Sequence, residues 1–377
     1  MDERDLDDAP GEPGDRTFMA RALELARRGL GLAAPNPMVG AVLVRDGRIV
    51  GEGWHEGPGT DHAEVAALRR AGELARGATL YVTLEPCSHQ GRTPPCAPAV
   101  AAAGVARLVA AARDPNPTVD GRGFAVLREA GVRVEAGVGA PEGRDLIAGF
   151  AKHVRSGLPF VTLKTASSLD GKAAARDGSS RWITGEAARR DAHELRAEAG
   201  AVAAGAGTVL ADDPSLTVRL EGYRGRQPVR VVVDASGRTP GGGRVHDGAA
   251  RTVVATTVRA PGPARAAWED AGAEVLVLPE SPEGVALDAL LEALGKRDVQ
   301  GLLVEGGPTL AWSFLRAGLI DRWVAYVGAR ALGGAGAMPA VGGDGVPSIG
   351  EAIPLHIESV ERLGEDVKVV ARVHGDR

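Results

Sequence analysis

Two short stretches hold both cysteines of this 377-residue chain together with a histidine–glutamate pair: Asp61-His62-Ala63-Glu64-Val65 and Glu85-Pro86-Cys87-Ser88-His89-Gln90-Gly91-Arg92-Thr93-Pro94-Pro95-Cys96. They offer a metal ion one imidazole and two thiolates, plus a carboxylate that need not bind it. A catalytic zinc takes three protein ligands and leaves one position for water. It acidifies that water from a pKa of roughly 15.7 to about 7. His62, Cys87 and Cys96 are the candidate ligands. Glu64 follows closely on His62 at the expected start of a helix, where it can reach the water and pass a proton to a departing amine. Cys96 follows two prolines and opens an Ala-rich run, and a helix N-terminus favours the thiolate form. This is the residue set of a zinc-water deaminase. Taken singly, each residue is as well explained by burial or by a helix start. The combination, with every cysteine used, points to a metal.

Outward from this motif the chain reads as two α/β units. In the first, a helix is expected over about 17–30. Strand 39–44 is turned by Asp46-Gly47 into 48–50, a hairpin signal. A helix over 62–75, a strand at 78–83, a helix over 96–103 and strands at 107–111 and 131–135 follow. Strands alternating with helices imply a sheet with helices packed on it. A loop near 147–158 is the expected boundary. The second unit begins with strand 159–164 and a helix over 185–199 that Gly200 is placed to cap. Strands are expected at 228–234, 251–257, 274–278 and 299–304, then a helix from Pro308. A Gly-rich loop over 328–350 and an antiparallel hairpin around Gly364 complete the chain.

Composition narrows the function. Hydrophobic residues make up 44% and charged residues 25%, ordinary globular values, while aromatics are only 3%, so the cores must be built from Ala, Val and Leu. The net charge of −5 equals that of residues 1–16, which hold seven acids and two bases and few apolar groups. These residues are expected to form a disordered acidic tail. The near-neutral remainder carries no electrostatic footprint for nucleic acid. No apolar run approaches the roughly 18 residues of a membrane span, and no signal-peptide pattern opens the chain. A cytoplasmic location is expected.

Base deaminases place their two cysteines as C-x-x-C, whereas here eight residues intervene. That insert, Cys87 to Cys96, with Pro35-Asn36-Pro37-Met38-Val39-Gly40, Asp114-Pro115-Asn116-Pro117 and Gly121-Arg122-Gly123, closely resembles the deaminase half of the bifunctional riboflavin-biosynthesis deaminase–reductases. Lys164-Thr165-Ala166-Ser167-Ser168-Leu169-Asp170-Gly171-Lys172, Ser180-Arg181-Trp182-Ile183-Thr184-Gly185 and Gly207-Thr208-Val209-Leu210-Ala211-Asp212-Asp213-Pro214-Ser215-Leu216-Thr217-Val218-Arg219 resemble the reductase half. The resemblance implies a cytidine-deaminase-like three-layer α/β/α domain over 17–150 and a dihydrofolate-reductase-like α/β domain over 158–377. It implies Zn2+ on His62, Cys87 and Cys96, Glu64 as proton donor, NADPH as reductant and a homo-oligomer. The implied substrate is a diaminopyrimidine carrying a phosphoribosylamino group, which loses its ring 2-amino group and then has its ribosyl group reduced to ribityl.

By the same resemblance, NADPH contacts fall on Ala166, Trp182, Thr208, Asp212, Ser236 and the turn Gly307, Pro308, Thr309, Leu310, Ala311, Trp312 and Ser313. Substrate contacts fall on Ser180, Arg196, Leu216, Arg219 and Glu305, with Asn36, His55 and His89 as further candidates in the first unit. The residues themselves support part of this. Leu303-Val304-Glu305-Gly306-Gly307-Pro308 reads as a strand, a glycine turn and a helix opened by proline, whose free amides attract a pyrophosphate. Gly205-Ala206-Gly207-Thr208-Val209-Leu210 is only a partial dinucleotide fingerprint. Arg196 and Arg219 can hold a phosphate with charge-assisted forks. Asp170, Lys164 and Glu305 are alternatives for handling the reductase proton. The rival reading is a nucleic-acid base deaminase with an unrelated C-terminal domain. A structural zinc protein, with His89 as fourth ligand, is a third.

Overall fold

Near-continuous apolar runs in the inner strands of the first unit bury both faces of a sheet, and the helices cover them. The computed structural model describes residues 8–91 and 94–373, and the chain divides after Gly157 into two units. In the first, β1 (Gly40–Arg45), β2 (Arg48–Trp54), β3 (Thr79–Leu84), β4 (Arg107–Ala112) and β5 (Arg133–Ala136) form a sheet in the order β2-β1-β3-β4-β5. Asp46 and Gly47, both at positive φ, make the tight turn between β1 and β2. β1 runs antiparallel to β2 and β3, and β3, β4 and β5 run parallel.

Helices α1 (Asp15–Ala26), α2 (Ala63–Ala71), α3 (Cys96–Ala102), α4 (Arg122–Glu129), α5 (Ala140–Leu146) and α6 (Ala148–Ser156) belong to the same unit. Leu43, Leu80, Val82, Leu108 and Ala110 point to one face, against Ala63 and Ala67 of α2, Val100 of α3 and Leu127 of α4. Val42, Val44, Tyr81, Val109 and Ala111 point to the other, against Met19, Ala22 and Leu23 of α1. Three layers result. The α2 helix can lie on β2 only because Gly53 has no side chain: a Cβ there would sit 2.2 Å from the Ala63 carbonyl oxygen.

The second unit holds β6 (Phe160–Ser168), β7 (Lys172–Ala174), β8 (Ala201–Gly205), β9 (Val229–Val233), β10 (Thr252–Thr256), β11 (Glu274–Val277), β12 (Glu280–Ser281), β13 (Gly284–Val285), β14 (Gly301–Val304), β15 (Arg322–Gly328), β16 (Met338–Pro339), β17 (Leu355–Leu363) and β18 (Asp366–Val373). Nine of them make one sheet, β11-β10-β9-β8-β14-β6-β15-β18-β17. It is parallel from β11 to β15, and the β17–β18 hairpin adds an antiparallel edge. Helices α10 (Leu287–Gly295) and α11 (Pro308–Arg316) cover one face, through Leu290, Leu294 and Phe314. α8 (Ala206–Asp212) and α9 (Gly262–Asp270) contribute Val209 and Trp268 to the other, and α7 (Glu186–Glu198) adds Leu195. The cores are Ala, Val and Leu, as the composition requires.

Several expectations give way. The acidic tail is not disordered throughout: residues 1–7 lie outside the described residues, but Asp15 opens α1 and is 1% exposed. Its carboxylate accepts bonds from the Arg107 guanidinium (2.7 and 2.8 Å), the Tyr81 hydroxyl (2.7 Å) and the Glu12 amide (2.7 Å). Burial alone would raise its pKa, but these donors hold it below the usual range. The stretch read as a boundary loop contains α6, ended by Gly157 at φ 73°. Gly200 is not a left-handed cap: α7 ends at Ala199 in extended conformation, and Gly200 accepts the Val229 amide instead. Helices α4, α5, α8, α9 and α10 and strands β8 and β15 went unread, although α10 buries Leu287, Leu290, Leu291 and Leu294 at helical spacing. Asp15→Ala leaves the Arg107 guanidinium short of its buried partner and is expected to lower the stability of the first unit by about 3–5 kcal/mol, measured by urea unfolding.

Candidate active sites

The first site forms where β3 stops and two helices start. His62 is the residue before α2 and Cys96 is the first residue of α3. Cys87 follows β3 on Pro86. His62 Nδ1 lies 3.1 Å from Cys96 Sγ and 3.6 Å from Cys87 Sγ, and the three ligand atoms are all within 4.8 Å of one another. A tetrahedral zinc bound at about 2.0–2.3 Å sets its ligand atoms about 3.5–3.8 Å apart, so the donor set fits zinc, with Nδ1 as the imidazole donor. The Cys96 thiol bonds to Cys87, and together with the His62 imidazole it pulls the Cys87 thiol down to about 4. The same interaction, with burial, pushes Cys96 up.

Glu64, in the first turn of α2, is 3% exposed. Burial pushes its carboxyl up to about 7, against the opposing pull of His62. A group poised near neutrality can both take and give a proton. Asn36 and His55 form a bonded pair, Nδ2 to Nε2 at 2.9 Å, and His55 Nδ1 meets the Asp61 carbonyl oxygen at 3.2 Å. Burial first, and His62 beside it, lower the His55 pKa. The neutral ring therefore donates from Nδ1 and accepts from Asn36, and its edge meets His62 at a centroid distance of 5.4 Å. His89 is exposed and stands outside the three-residue ligand cluster, because the insert carries it away from His62. It is not a fourth ligand among the described residues.

Glu85 is the residue that the motif reading missed. Its carboxylate, 3% exposed, accepts the amides of Asp114, Gly121, Gly123 and Phe124 at 2.9–3.2 Å. This ties the Cys87 turn to the start of α4. Gly123 must be glycine, since a Cβ would lie 1.9 Å from the Pro86 carbonyl oxygen. The available signal was the position of Glu85, immediately before Pro86-Cys87.

The second site is a cavity of about 920 Å³ along the ends of the parallel strands. Of the expected cofactor contacts, Ala166, Trp182, Thr208, Asp212, Ser236, Gly307, Pro308, Thr309, Leu310, Ala311 and Ser313 line it. Trp312 does not. It faces the Gly-rich loop, where a Cβ on Gly343 would sit 1.9 Å from its ring. The expected substrate contacts Ser180, Arg196, Leu216, Arg219 and Glu305 all line the cavity. Trp182 is 59% exposed, so it is a wall and not core, and the Arg189 guanidinium lies 4.5 Å from its ring centroid. Thr208 Oγ1 accepts the Gly307 amide at 2.7 Å and fixes the glycine turn.

Arg196 is not a free phosphate clamp. Its Nε and Nη2 donate to Glu305 at 2.6 and 2.8 Å, and Nη1 donates to the Thr217 carbonyl at 3.0 Å. Lys164 Nζ reaches Glu305 at 3.2 Å. Burial opposes ionisation of Glu305, but Arg196 and Lys164 overcome it and hold the carboxyl at about 2. Arg219 also lines the cavity, with Nη1 3.5 Å from the Thr217 hydroxyl. A second hollow of about 520 Å³, lined by Arg189, Arg190, His193 and Arg219, adjoins this end. His193 Nδ1 accepts the Arg219 amide at 3.2 Å, and burial together with Arg196 and Arg219 holds its pKa at about 4. His193 was also missed, because a lone histidine on a polar helix carries no pattern. Asp170 does not line the cavity. It accepts the Ser168 hydroxyl and the Leu332 and Gly333 amides, which hold it at about 2 and anchor the Gly-rich loop.

Residues 159–369 match the family profile of the RibD C-terminal domain, and residues 13–112 match the cytidine and deoxycytidylate deaminase zinc-binding region. The riboflavin biosynthesis protein RibD of Escherichia coli is 43% identical over 368 residues, covering 94% of this chain and 98% of its own length. This chain belongs to the RibD family. RibD of Acinetobacter baumannii matches in structure with a TM-score of 0.83 at 40% identity, covering 96% of this chain and 99% of that one. A deaminase/reductase from Thermotoga maritima matches at 0.83 and 37% identity, covering 96% and 99%. The two units are accordingly a deaminase domain of the zinc-binding type and a dihydrofolate-reductase-like RibD C-terminal domain. The chain is a bifunctional deaminase and reductase of riboflavin biosynthesis, with zinc and NADPH as its cofactors.

The purified protein is expected to carry about one zinc per chain. Cys87→Ala or Cys96→Ala is expected to lose most of it, as read by metal analysis after dialysis.

Proposed function

We propose that the first site hydrolyses the 2-amino group of a diaminohydroxypyrimidine bearing a phosphoribosylamino group, and that the second reduces the ribosyl group of the deaminated product. The observation that carries this is the presence in one chain of two sites. One is a three-ligand cluster beside a buried glutamate, and the other is a large cavity closed at one end by Lys164, Glu305 and Arg196. The Thermotoga maritima relative is a diaminohydroxyphosphoribosylaminopyrimidine deaminase and 5-amino-6-(5-phosphoribosylamino)uracil reductase.

At the first site, zinc held by His62 Nδ1 and the two sulfurs supplies Lewis acidity toward water. The Glu64 carboxylate takes a proton from water as its oxygen adds to the ring carbon, then hands a proton to the amine nitrogen as the C–N bond breaks and ammonia leaves. Asn36, oriented by His55, presents its amide to the pyrimidine. At the second site, NADPH supplies a hydride. Reduction at C1′ opens the ring C1′–O4′ bond, so O4′ needs a proton from the protein. Glu305 and Asp170 are ionised at neutral pH, so Lys164 is the remaining donor, and Glu305 holds it in place. Arg219 binds the 5′-phosphate in the adjoining hollow, with Arg196 bracing the site through Glu305.

We assign the protein to the cytoplasm, with a small-molecule substrate and no nucleic-acid partner. No helix among the described residues is long and apolar enough to cross a membrane, and both cysteines belong to the metal cluster. Self-association is supported by edge strand β17, which exposes Ile357 (60%) and Val360 (62%).

Glu64→Ala is expected to keep its zinc and to lower deamination by about 10²–10⁴-fold, while NADPH oxidation with the deaminated product continues. Lys164→Met is expected to show the reverse pattern, with NADPH oxidation reduced by a similar ~10²–10⁴ factor and ammonia release intact. Stopped assays of ammonia and of absorbance at the nicotinamide band separate the two. Absence of NADPH oxidation by the wild type with authentic deaminated product would remove the reductase assignment.

A further inference from the structure

We infer that His193 is a positioning residue of the second site: its ring holds the backbone of Arg219 and so sets the affinity for the phosphorylated end of the reductase substrate. The inference rests on the reductase reading above, in which Arg219 takes the 5′-phosphate.

Arg219 stands on a segment with no regular structure to place it. α8 ends at Asp212 and β9 begins at Val229, and residues 213–228 between them form neither helix nor strand. A guanidinium on such a segment is a poor ligand unless its backbone is fixed in advance, because binding must then order it. The core supplies the first fixed points. Leu216 (2% exposed) and Val218 (5%) are buried. Leu216 takes φ 50°, a left-handed conformation that is costly for a leucine and that the surroundings must impose. Arg219, directly after Val218, is exposed.

Side chains then take the place of a neighbouring strand. Gln227 clasps Val218 twice, accepting its amide at Oε1 (2.8 Å) and donating from Nε2 to its carbonyl oxygen (3.2 Å). A paired strand residue makes the same two bonds. Arg196 Nη1 donates to the Thr217 carbonyl oxygen (3.0 Å), and His193 Nδ1 accepts the Arg219 amide (3.2 Å). His193 and Arg196 are three residues apart on α7, so they share one face of that helix. The helix therefore grips the segment at Thr217 and at Arg219, with the Gln227 clasp between them.

The His193 bond is the clasp on Arg219 itself, and it requires a neutral ring. Burial, then Arg196 and Arg219, hold the imidazole at about 4 against the opposing pull of Glu305. At neutral pH, Nδ1 thus keeps a lone pair for the amide and the ring proton sits on Nε2. A cationic ring would lose the acceptor and add a positive charge beside two guanidiniums. Burial and Arg196 also lower the Arg219 pKa, so its charged form is held at a cost that a phosphate dianion offsets. His193 acts through Arg219 and takes no part in hydride or proton transfer.

The test is steady-state NADPH oxidation by the full-length protein, with the deaminated substrate and with the same compound lacking its 5′-phosphate. His193→Ala is expected to raise KM for the phosphorylated substrate by about 3–10-fold with kcat within about twofold, and to leave KM for the dephosphorylated compound unchanged. His193→Asn, whose Oδ1 can stand where Nδ1 stands, is expected to restore most of the loss. His193→Phe, which fills the space without an acceptor, is expected to behave as His193→Ala. In an Arg219→Ala background the effect of His193→Ala is expected to vanish. Calorimetric NADPH binding, expected to be unchanged, reports that each variant keeps its second unit folded. An equal rise in KM for both compounds, a fall in kcat with KM unmoved, or wild-type behaviour of His193→Phe overturns the positioning role. Failure of the wild type to oxidise NADPH with the phosphorylated substrate overturns the reductase reading instead.

Discussion

Both sites depend on one constraint of parallel sheets: strands end together on one side, and the helices that follow begin there. Backbone amides at those helix starts have no partners within the helix, so thiolates, carboxylates and phosphates collect on that edge. In the first unit it places His62 before α2, Cys87 after β3 and Cys96 at the start of α3. The cluster is then held by backbone approach that tolerates no Cβ. Gly53 lets α2 lie on β2, and Gly123 lets α4 meet the Cys87 turn. Glu85 completes the attachment with four amide bonds from a segment distant in sequence. In the second unit the same edge becomes a cavity.

Burial favours the neutral form of each titratable group, raising carboxyls and lowering imidazoles, and the neighbours decide the result. Glu64 is buried beside a metal-binding cluster, with too little positive charge in the protein to offset desolvation, and its carboxyl stands at about 7. Glu305 is equally enclosed, yet Arg196 and Lys164 hold it at about 2. One carboxyl can therefore exchange protons at neutral pH and the other serves as a fixed anion. The two chemistries differ accordingly. Hydrolysis requires a proton carrier, whereas reduction requires an anchored lysine and a hydride donor at the right distance.

The deaminase motif was legible because metal chemistry restricts residue types. A catalytic zinc takes three protein ligands, and both cysteines of this chain stand in one motif downstream of a histidine–glutamate pair. The reductase cavity was partly legible in Gly306-Gly307-Pro308, where a strand, a turn and a helix follow one another in sequence. Trp312 and His89 were not legible: each sits in a motif, and packing turns one toward Gly343 and leaves the other exposed on the insert. Arg196 was read as a phosphate ligand from its charge, and only the fold shows that Glu305 occupies it. Asp15 lay within a run of acids that resembled a solvated tail, and its burial depends on Arg107 and Tyr81, far along the chain.

The sequence by itself determined the chemistry of the first site, the α/β character of both units and the aromatic-poor cores, because these follow from residue type, local spacing and the succession of strand and helix segments. Only the tertiary structure decided which charges are spent on one another. Arg196 is committed to Glu305, while Arg219, held by its backbone to His193, lines the cavity. Pairing of this kind depends on distances across strands and turns that no local pattern encodes, and it is these distances that separate a ligand-binding charge from a structural one.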